Sequence, residues 1–418
     1  MDELGQHPPT PLHLAMIGTR GVPAAYGGFE TAVEEIGSRL AGRGHDVTVY
    51  CRNAEDSSAH EYAGMHLVHL PALHLKVAET LSHTALSVAH VAMHRHHPDA
   101  AFVFNAANAP FVPILHARGV PVAVHVDGLE WQRDKWHGAG RAYYRWAEQS
   151  AVRNADALIA DARGIADYYA SEFGAATRQI AYGAPVQLRP VSDRLEELGL
   201  LWKGYHLAVA RFEPENHVDV VVAGYVRSAA VRPLVVVGAA PYAEEYTERI
   251  RAEARDDPRV RLLGAMYDQD LLDQLYAGAL SYAHGHSVGG TNPSLLRAMG
   301  AGTAVLAWNV PFNRQVAGER GRYFGDAGSL AALVEATELD PDRALRDGEA
   351  LREVVRTRYR WDDVAVAYEA LAMELKAGAS TRARGRRRLS EHPVGAAEPA
   401  IFRSDPTSPR SGIGGSLR

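Results

Sequence analysis

Short apolar segments alternate with helical patterns along most of the chain, and this alternation starts twice. The first series runs from the apolar segment Leu12 to Ile17 as far as Ala157 to Ala160. The second runs from Leu207 to Ala210 as far as Ala304 to Ala307. Strands that alternate with helices form parallel sheets covered on both faces. The sequence therefore predicts an α/β chain with two doubly wound, Rossmann-like domains.

The alternation is interrupted between Gly183 and Trp202, where prolines and glycines accumulate. We therefore predict an N-terminal domain over 12–185 and a C-terminal domain over 203–358, with an amphipathic last helix over 361–376. Ligands of such sheets bind at the carboxyl ends of the strands. The loops that follow strands are thus expected to face a cleft between the two domains.

Composition excludes several classes of protein. The net charge of the 418 residues is −6, which argues against a general nucleic-acid binder. A single cysteine, Cys51, excludes an intrachain disulfide and fits a reducing compartment. Met1 to Pro11 lacks the apolar core of a signal peptide, and no apolar run reaches the length of a membrane span. We expect a cytoplasmic protein.

The segment 377–418 differs in charge from the rest of the chain. It contains eight arginines and three acidic residues, a net charge of +5, so the remaining residues carry −11. Because it has few large apolar residues, it is predicted to be disordered. Two interpretations stay open: a polybasic contact with anionic lipid at the inner face of a membrane, or an inert solvated tail.

The first glycine loop does not have the pattern of a dinucleotide site. It contains Gly18 and Gly21 but not the full fingerprint, and Arg52 rather than an acidic residue ends the second strand, so a nicotinamide enzyme is not expected. Gly27 and Gly28 directly precede the first helix. Glycines there let backbone N–H groups approach an anion, although a tight loop without a ligand is the alternative.

Two loops of the second domain suit phosphate. Arg211 follows a strand, and its planar guanidinium can pair two oxygens of a diphosphate, unless Glu213 or Glu215 binds it instead. The second loop, after Ala283, delivers a helix N-terminus that favours anions. Its candidate donor-binding residues are Gly289, Gly290, Thr291 and Asn292, with Asn292 or Thr291 as the helix cap and Pro293 in the first turn.

A polar and aromatic segment follows another strand of the first domain. It holds carboxylates and tryptophans, the combination that sugar sites use, although a surface loop with a packed tryptophan is the alternative. The candidate residues are His125, Asp127, Glu130, Trp131 and Lys135, of which His125 and Asp127 are catalytic candidates together with Arg211.

Two patterns that resemble metal sites have simpler explanations. Asp268 and Asp270 open a helix, where aspartate caps. His90 and His94 lack the acidic partner of a metalloprotease motif. No metal and no cofactor are expected.

Five blocks together resemble the family-4 retaining glycosyltransferases, in their rhamnosyltransferase-like subgroup. The resemblance covers about residues 12 to 375 and lies in Gly18 to Thr31, Val126 to Trp131, Ala155 to Asp161, Arg211 to Asn216, and Ser287 to Met299. It implies a GT-B fold with an N-terminal acceptor domain and a C-terminal nucleotide-sugar domain. It also implies that the last helix crosses back to the N-terminal domain.

The resemblance implies an activity and roles for residues. A sugar, for this subgroup a deoxyhexose such as rhamnose, would pass with retention from a nucleotide-diphosphate sugar to a lipid-linked or polysaccharide acceptor. The protein would act by positioning and by stabilising the leaving diphosphate. Arg211 and the N–H groups of Gly27, Gly28 and Gly290 would stabilise it, and Asp127 would orient the sugar. Glu130, Trp131 and Lys135 would bind the acceptor.

Two departures from the family pattern affect the donor site. The usual Glu-x7-Glu motif falls on Gly289 and Arg297, and the usual lysine is Asn216. Arginine only donates, so Arg297 cannot accept from ribose hydroxyls; either it contacts phosphate or it disables the site. The alternative function is a catalytically impaired GT-B protein that binds a glycan or a partner. A sugar-nucleotide epimerase is a third possibility, against which the acceptor-side blocks argue.

Overall fold

The computed structural model describes residues 10–24, 27–53, 59–73, 78–126, 128–132, 138–187, 192–240, 243–254 and 257–381. The first sheet has the order β3-β4-β2-β1-β5-β6-β7-β8, and only the pair β3–β4 is antiparallel. Its strands are β1 (His13–Ile17), β2 (Asp46–Arg52), β3 (Glu61–Tyr62), β4 (Met65–Leu70), β5 (Ala100–Phe104), β6 (Val122–Val126), β7 (Ala157–Ala160) and β8 (Arg178–Gln179).

Helices cover both faces of this sheet. They are α1 (Gly28–Gly42), α2 (Ala78–Met93), α3 (Val112–Ala117), α4 (Ala139–Asn154) and α5 (Arg163–Phe173). Helix α1 lies on one face and buries Val33, Ile36 and Leu40, which recur at helical spacing. Helices α2 to α5 pack on the opposite face around a second apolar core.

The second sheet is parallel throughout, in the order β11-β10-β9-β12-β13-β14. Its strands are β9 (His206–Val209), β10 (Leu234–Val237), β11 (Val260–Gly264), β12 (Ser281–His284), β13 (Ala304–Trp308) and β14 (Arg322–Phe324). Its helices are α6 (Val218–Arg227), α7 (Glu244–Ala254), α8 (Gln269–Gly278), α9 (Pro293–Gly300), α10 (Pro311–Ala317), α11 (Ala327–Leu339) and α12 (Pro341–Arg358).

The strand order fixes where each sheet can bind a ligand. The chain reverses direction across the first sheet between β1 and β5, and across the second between β9 and β12. A crevice opens at the carboxyl ends of the strands at such a switch point. The loops after β1, β9 and β12 are the glycine and arginine loops selected from the sequence.

The last helix, α13 (Trp361–Lys376), leaves the second domain and packs on α1 of the first. Glu369 of α13 lies 2.7 Å from His45 Nε2 and 2.5 Å from Arg43 Nη2. A Cβ at Gly183 would lie 2.6 Å from the Trp361 ring, so α13 is in close contact with the segment that follows β8. The helix therefore ties the chain end to the N-terminal domain.

The predicted disorder of the tail does not hold for its first residues. Ser380 donates to Asp156 Oδ1 at 2.9 Å, and the backbone N–H of Thr381 donates to Asp156 O at 2.8 Å. Asp156 is buried and also accepts from the backbone N–H of Val122. Residues 377–381 thus pack on the first domain, because they satisfy a buried carboxylate. The remainder of the tail, 382–418, lies outside the described residues.

Within the described ranges, no helix combines the length and the apolar character needed to cross a membrane.

Candidate functional site

The loop after β12 touches the first domain at Asp161, the residue that follows β7. The backbone N–H of Thr291 donates to Asp161 Oδ2 at 2.8 Å, and Thr291 Oγ1 donates to Asp161 O at 2.8 Å. A Cβ at Gly290 would lie 2.6 Å from both carboxylate oxygens. Only glycine at position 290 therefore leaves room for this contact.

Asp161 was not selected as a site residue from the sequence, although it closes one of the blocks that carry the resemblance. Its side chain is buried, and burial raises its pKa to about 7, against the opposing effect of the Thr291 N–H. Among the described residues, no lysine, arginine or histidine lies within 4 Å of its carboxylate. A buried, titratable carboxyl thus lies at the domain junction.

Two glycines of the first domain meet the same loop. A Cβ at Gly28 would lie 3.1 Å from Pro293 Cγ, and one at Gly128 would lie 3.5 Å from the carbonyl carbon of Gly289. The predicted donor residues of both domains, Gly28 and Gly289 to Asn292, are therefore neighbours. This places the two switch points against each other.

The start of α9 has the predicted geometry. Asn292 caps the helix, because its side-chain oxygen accepts from the Ser294 N–H at 3.0 Å, and Pro293 is the first helical residue. Tyr282 donates to Ser294 Oγ at 3.0 Å from within β12. The helix N-terminus is thus fixed to the sheet at the cleft.

Gly27 adopts a backbone conformation that favours glycine, with φ of +120°. A Cβ there would lie 2.0 Å from Glu30 Oε2, and Glu30 Oε1 also accepts from the Arg20 N–H at 3.1 Å. The carboxylate of Glu30 therefore lies against Gly27 and binds the backbone of the loop after β1.

Arg211 lies at the carboxyl end of β9, with 37% of its side chain exposed. Its Nη2 is 3.6 Å from Glu213 Oε2, the ion pair considered as the alternative to a ligand. Asn216 is buried and donates to Arg211 O at 2.8 Å, so it supports the arginine loop. The Ser287 N–H donates to Glu215 O at 2.9 Å and joins this loop to the loop after β12.

Aromatic stacking fixes the same edge of the second sheet. His217 stacks on Trp308 with centroids 3.8 Å apart, and its Nδ1 donates to Gly285 O at 2.8 Å. His284 stacks on His286 at 4.4 Å, and burial lowers the pKa of His284 to about 3. His284 is therefore neutral at physiological pH.

His125 does not lie at the surface of the cleft, contrary to its selection as a catalytic candidate. It is 1% exposed, stacks on Tyr182, and its Nδ1 lies 2.8 Å from the Tyr368 hydroxyl on α13. Burial lowers its pKa to about 3, so the ring is neutral. Helix α13 covers this side chain. The position of His125 at the end of a strand does not by itself indicate that a distant helix packs over it.

The acceptor candidates are only partly described. Glu130 is buried, and Trp131 lies beside α4, where the Arg145 guanidinium is 5.1 Å from its ring and Arg141 Nε donates to its carbonyl. Asp127 and Lys135 lie outside the described residues.

Arg297 is held by α8. Its Nε donates to Asp273 Oδ1 at 2.6 Å, its Nη1 to Gln269 Oε1 at 2.9 Å, and its Nη2 to Gln269 O at 3.1 Å. The guanidinium also lies 5.5 Å from the Tyr276 ring. All three of its nitrogens thus have a protein partner. Asp268 caps α8 through the Leu271 N–H at 3.0 Å, as predicted.

Two family models match the chain in succession. Residues 12–185 match a domain of unknown function, DUF1972, and residues 204–338 match the glycosyl transferases group 1. A curated relative, O-antigen chain mannosyltransferase B of Escherichia coli, is 25% identical over 142 residues. That match spans 33% of this chain and 36% of the relative's length.

Solved structures match almost the entire described chain. Sucrose-phosphate synthase from Thermosynechococcus elongatus superimposes with a TM-score of 0.76 at 22% identity, over 87% of this chain and 99% of that one. Anabaena HepE in complex with UDP-glucose superimposes with a TM-score of 0.70 at 15% identity, over 86% and 99%. The chain therefore has the predicted two-domain GT-B fold, and its residues 204–338 are similar to the group 1 glycosyltransferases.

Proposed function

We propose that the chain is a glycosyltransferase that moves a sugar from a nucleotide-diphosphate sugar to an acceptor hydroxyl. The observation that carries this proposal is the meeting of the two switch points. The arginine loop and the loop after β12 are joined through Ser287 and Glu215, and the latter loop meets Asp161 and Gly28 of the first domain. A cation, a glycine loop and a helix N-terminus converge there, which suits a diphosphate.

The second domain would bind the donor and the first the acceptor. Arg211 and the backbone N–H groups of the glycine loops would stabilise the charge that develops on the diphosphate. The bond between the anomeric carbon and the phosphate oxygen breaks, and a bond to the acceptor oxygen forms on the same face. The proton of the acceptor hydroxyl passes to the leaving diphosphate, which gives retention without a covalent intermediate.

The relatives and the sequence resemblance support a proposal for the substrate class. HepE was solved with UDP-glucose, and the curated relative is named for an O-antigen chain. We therefore propose family-4 chemistry with a lipid-linked or polysaccharide acceptor. The donor sugar would be a hexose or deoxyhexose, and the subgroup resemblance implies rhamnose.

A second candidate is a protein that keeps the fold and binds a glycan or a partner without turnover. One observation favours it: Arg297 occupies the position of the expected glutamate, and α8 holds all its nitrogens. Position 297 therefore lacks the carboxylate that would accept hydrogen bonds from the ribose hydroxyls of a donor nucleotide.

Nucleotide binding tests these candidates. Thermal unfolding would be followed with diphosphates of uridine, guanosine and deoxythymidine and with the matching nucleosides. A ligand at 100 times its dissociation constant adds about 2.7 kcal/mol to the free energy of unfolding. Selective stabilisation by one diphosphate supports a donor site. Stabilisation by glycans alone favours the second candidate and contradicts the first.

A further inference from the structure

Helices α2, α3 and α4 form the outer surface of one face of the first sheet, and their charge differs from that of the whole chain. Residues 78–97, 112–118 and 138–154 contain five arginines and two acidic residues, the buried Glu148 and Glu79, which pairs with Arg52. One of the arginines, Arg145, pairs with Glu172 of α5 at 3.1 Å. The whole chain has a net charge of −6. We call this surface the α2–α4 face.

The α2–α4 face also exposes large apolar side chains. Leu86 and Met93, two turns apart on α2, are 42% and 76% exposed. Ile114 on α3 is 45% exposed, and Trp146 on α4 is 50% exposed. The inward sides of the same helices bury their apolar residues against the sheet. These four side chains are therefore additional to the core.

Helix α4 combines both features along one stripe. Ala142, Trp146, Gln149 and Arg153 follow each other at helical spacing and are all exposed. The Tyr143 ring lies 5.6 Å from that of Trp146. An exposed tryptophan with flanking arginines is typical of side chains at the headgroup level of a bilayer.

The position of the face relative to the cleft is also informative. Helix α4 begins at Ala139, soon after the segment 128–132, in which Gly128 contacts the loop after β12. Tyr143 of α4 donates to Ala107 O at 2.9 Å and fixes the helix to the loop after β5. One edge of the α2–α4 face thus adjoins the predicted acceptor side of the cleft.

We propose that the α2–α4 face docks on an anionic membrane surface. Arginines would meet the lipid phosphates, and Trp146, Ile114 and Met93 would enter the headgroup region. Docking would bring the cleft to an acceptor held in the bilayer, so the inference rests on the proposed function. A nucleic acid offers charge complementarity but no apolar phase for Leu86, Met93 and Ile114, and for that reason we favour the membrane.

Vesicle co-sedimentation of the full chain tests this proposal. Vesicles of phosphatidylcholine alone are compared with vesicles that also contain phosphatidylglycerol. Wild type should sediment with the anionic vesicles only, and less so as salt rises. The double variant Arg118→Glu/Arg153→Glu should bind them at least about tenfold more weakly. Trp146→Ser should also bind more weakly, because it loses apolar insertion.

The matched control lies on the second domain. Arg346→Glu/Arg358→Glu changes the net charge equally at exposed positions of α12, and Leu339→Ser removes an apolar side chain that is 86% exposed. Both controls should bind vesicles as wild type does. Equal loss in the controls would show a net-charge effect and overturn the proposal. If Arg118→Glu/Arg153→Glu binds anionic vesicles as strongly as wild type does, the proposal is also overturned. The basic segment 382–418 would then be the candidate for the membrane contact.

Two further measurements separate the remaining explanations. Diphosphate binding by each variant should equal that of wild type, whether or not the proposed transferase activity is found. If sedimentation velocity shows a dimer that Trp146→Ser dissociates, the face is an interface between copies. If a DNA duplex binds wild type and Arg118→Glu/Arg153→Glu abolishes that binding while vesicles do not bind, the partner is a nucleic acid. Either result would contradict the membrane proposal.

Discussion

The backbone N–H of Thr291 donates to the carboxylate of Asp161 across the domain junction, at 2.8 Å. The donor belongs to the loop that we propose for phosphate, and the acceptor is the first residue after β7. The carboxylate of Asp161 in the first domain therefore accepts a hydrogen bond from a backbone N–H of the second domain. The contact couples the relative position of the domains to the ionisation of one carboxyl.

The stability of the chain should depend on the ionisation of Asp161. Burial raises its pKa from 3.8 to about 7, so the folded chain binds this proton more tightly than the unfolded chain does. Its contribution is fully present below pH of about 4, is lost progressively as pH rises to about 7, and is constant above. Relative to wild type, Asp161→Asn should therefore gain free energy of unfolding as the pH rises across this window. The free energy of unfolding of wild type and Asp161→Asn would be measured by urea denaturation at several pH values. A constant difference between the two proteins at every pH would contradict this prediction.

The close approach at Gly290 predicts a specific effect of a methyl group. Gly290→Ala would place Cβ 2.6 Å from both Asp161 oxygens, so the domains should separate. The radius of gyration should increase and diphosphate affinity should fall. Gly325→Ala is the control, because a Cβ there meets nothing within 4 Å. The same Cβ would lie 2.7 Å from Ile165 Cδ1, so Asp161→Ala should restore the compact shape of Gly290→Ala in part, and Asp161→Ala/Ile165→Ala should restore it further. If neither does, the methyl group acts elsewhere.

Arg211→Ala should weaken the binding of a nucleoside diphosphate more than that of the nucleoside. A hydrogen bond to a charged group contributes about 1.5–3 kcal/mol. The nucleoside has no phosphate, so its binding does not depend on such a bond with Arg211. Isothermal titration of both ligands gives the difference. Arg346→Ala, an exposed arginine of α12, is the control. Equal losses for nucleoside and diphosphate would exclude Arg211 from the diphosphate.

Arg297→Glu should destabilise the chain, because it places a carboxylate beside Asp273 and removes the contacts with Gln269. The expected loss is about 1–3 kcal/mol of unfolding free energy. The double variant Arg297→Glu/Asp273→Lys restores opposite charges and should recover part of it. Denaturation of the three proteins checks this. Unchanged stability of the single variant would mean that α8 does not hold the guanidinium.

The start of the tail should be needed for stability. A chain that ends after Lys376 loses the contacts of Ser380 and Thr381 with Asp156, and we expect about 1–3 kcal/mol less stability. A chain that ends after Thr381 retains them and should unfold as wild type does. Identical unfolding of the two truncated chains would show that these contacts contribute nothing.

Periodicity and glycine placement predict much of this fold, because strands and helices bury apolar residues at fixed spacings. The cap at Asn292 was also predictable, because capping depends only on residues that are close together in the sequence. The resemblance implied that the last helix returns to the first domain, but the individual side-chain contacts between distant segments were not predictable. His125 ends a strand like a site residue, but α13 covers it from over 200 positions away. Asp161 lacks a local signal because its partner, Thr291, is 130 positions distant.

The central claim is that this chain transfers a sugar from a nucleotide-diphosphate sugar. The most direct measurement is nuclear magnetic resonance of reactions that contain wild type, a panel of nucleotide sugars and lipid-linked saccharide acceptors. We predict release of one nucleoside diphosphate, transfer of its sugar with the anomeric configuration of the donor, and a large loss of both in Arg211→Ala. No release with any donor and acceptor, from a protein that binds glycans, would contradict the claim.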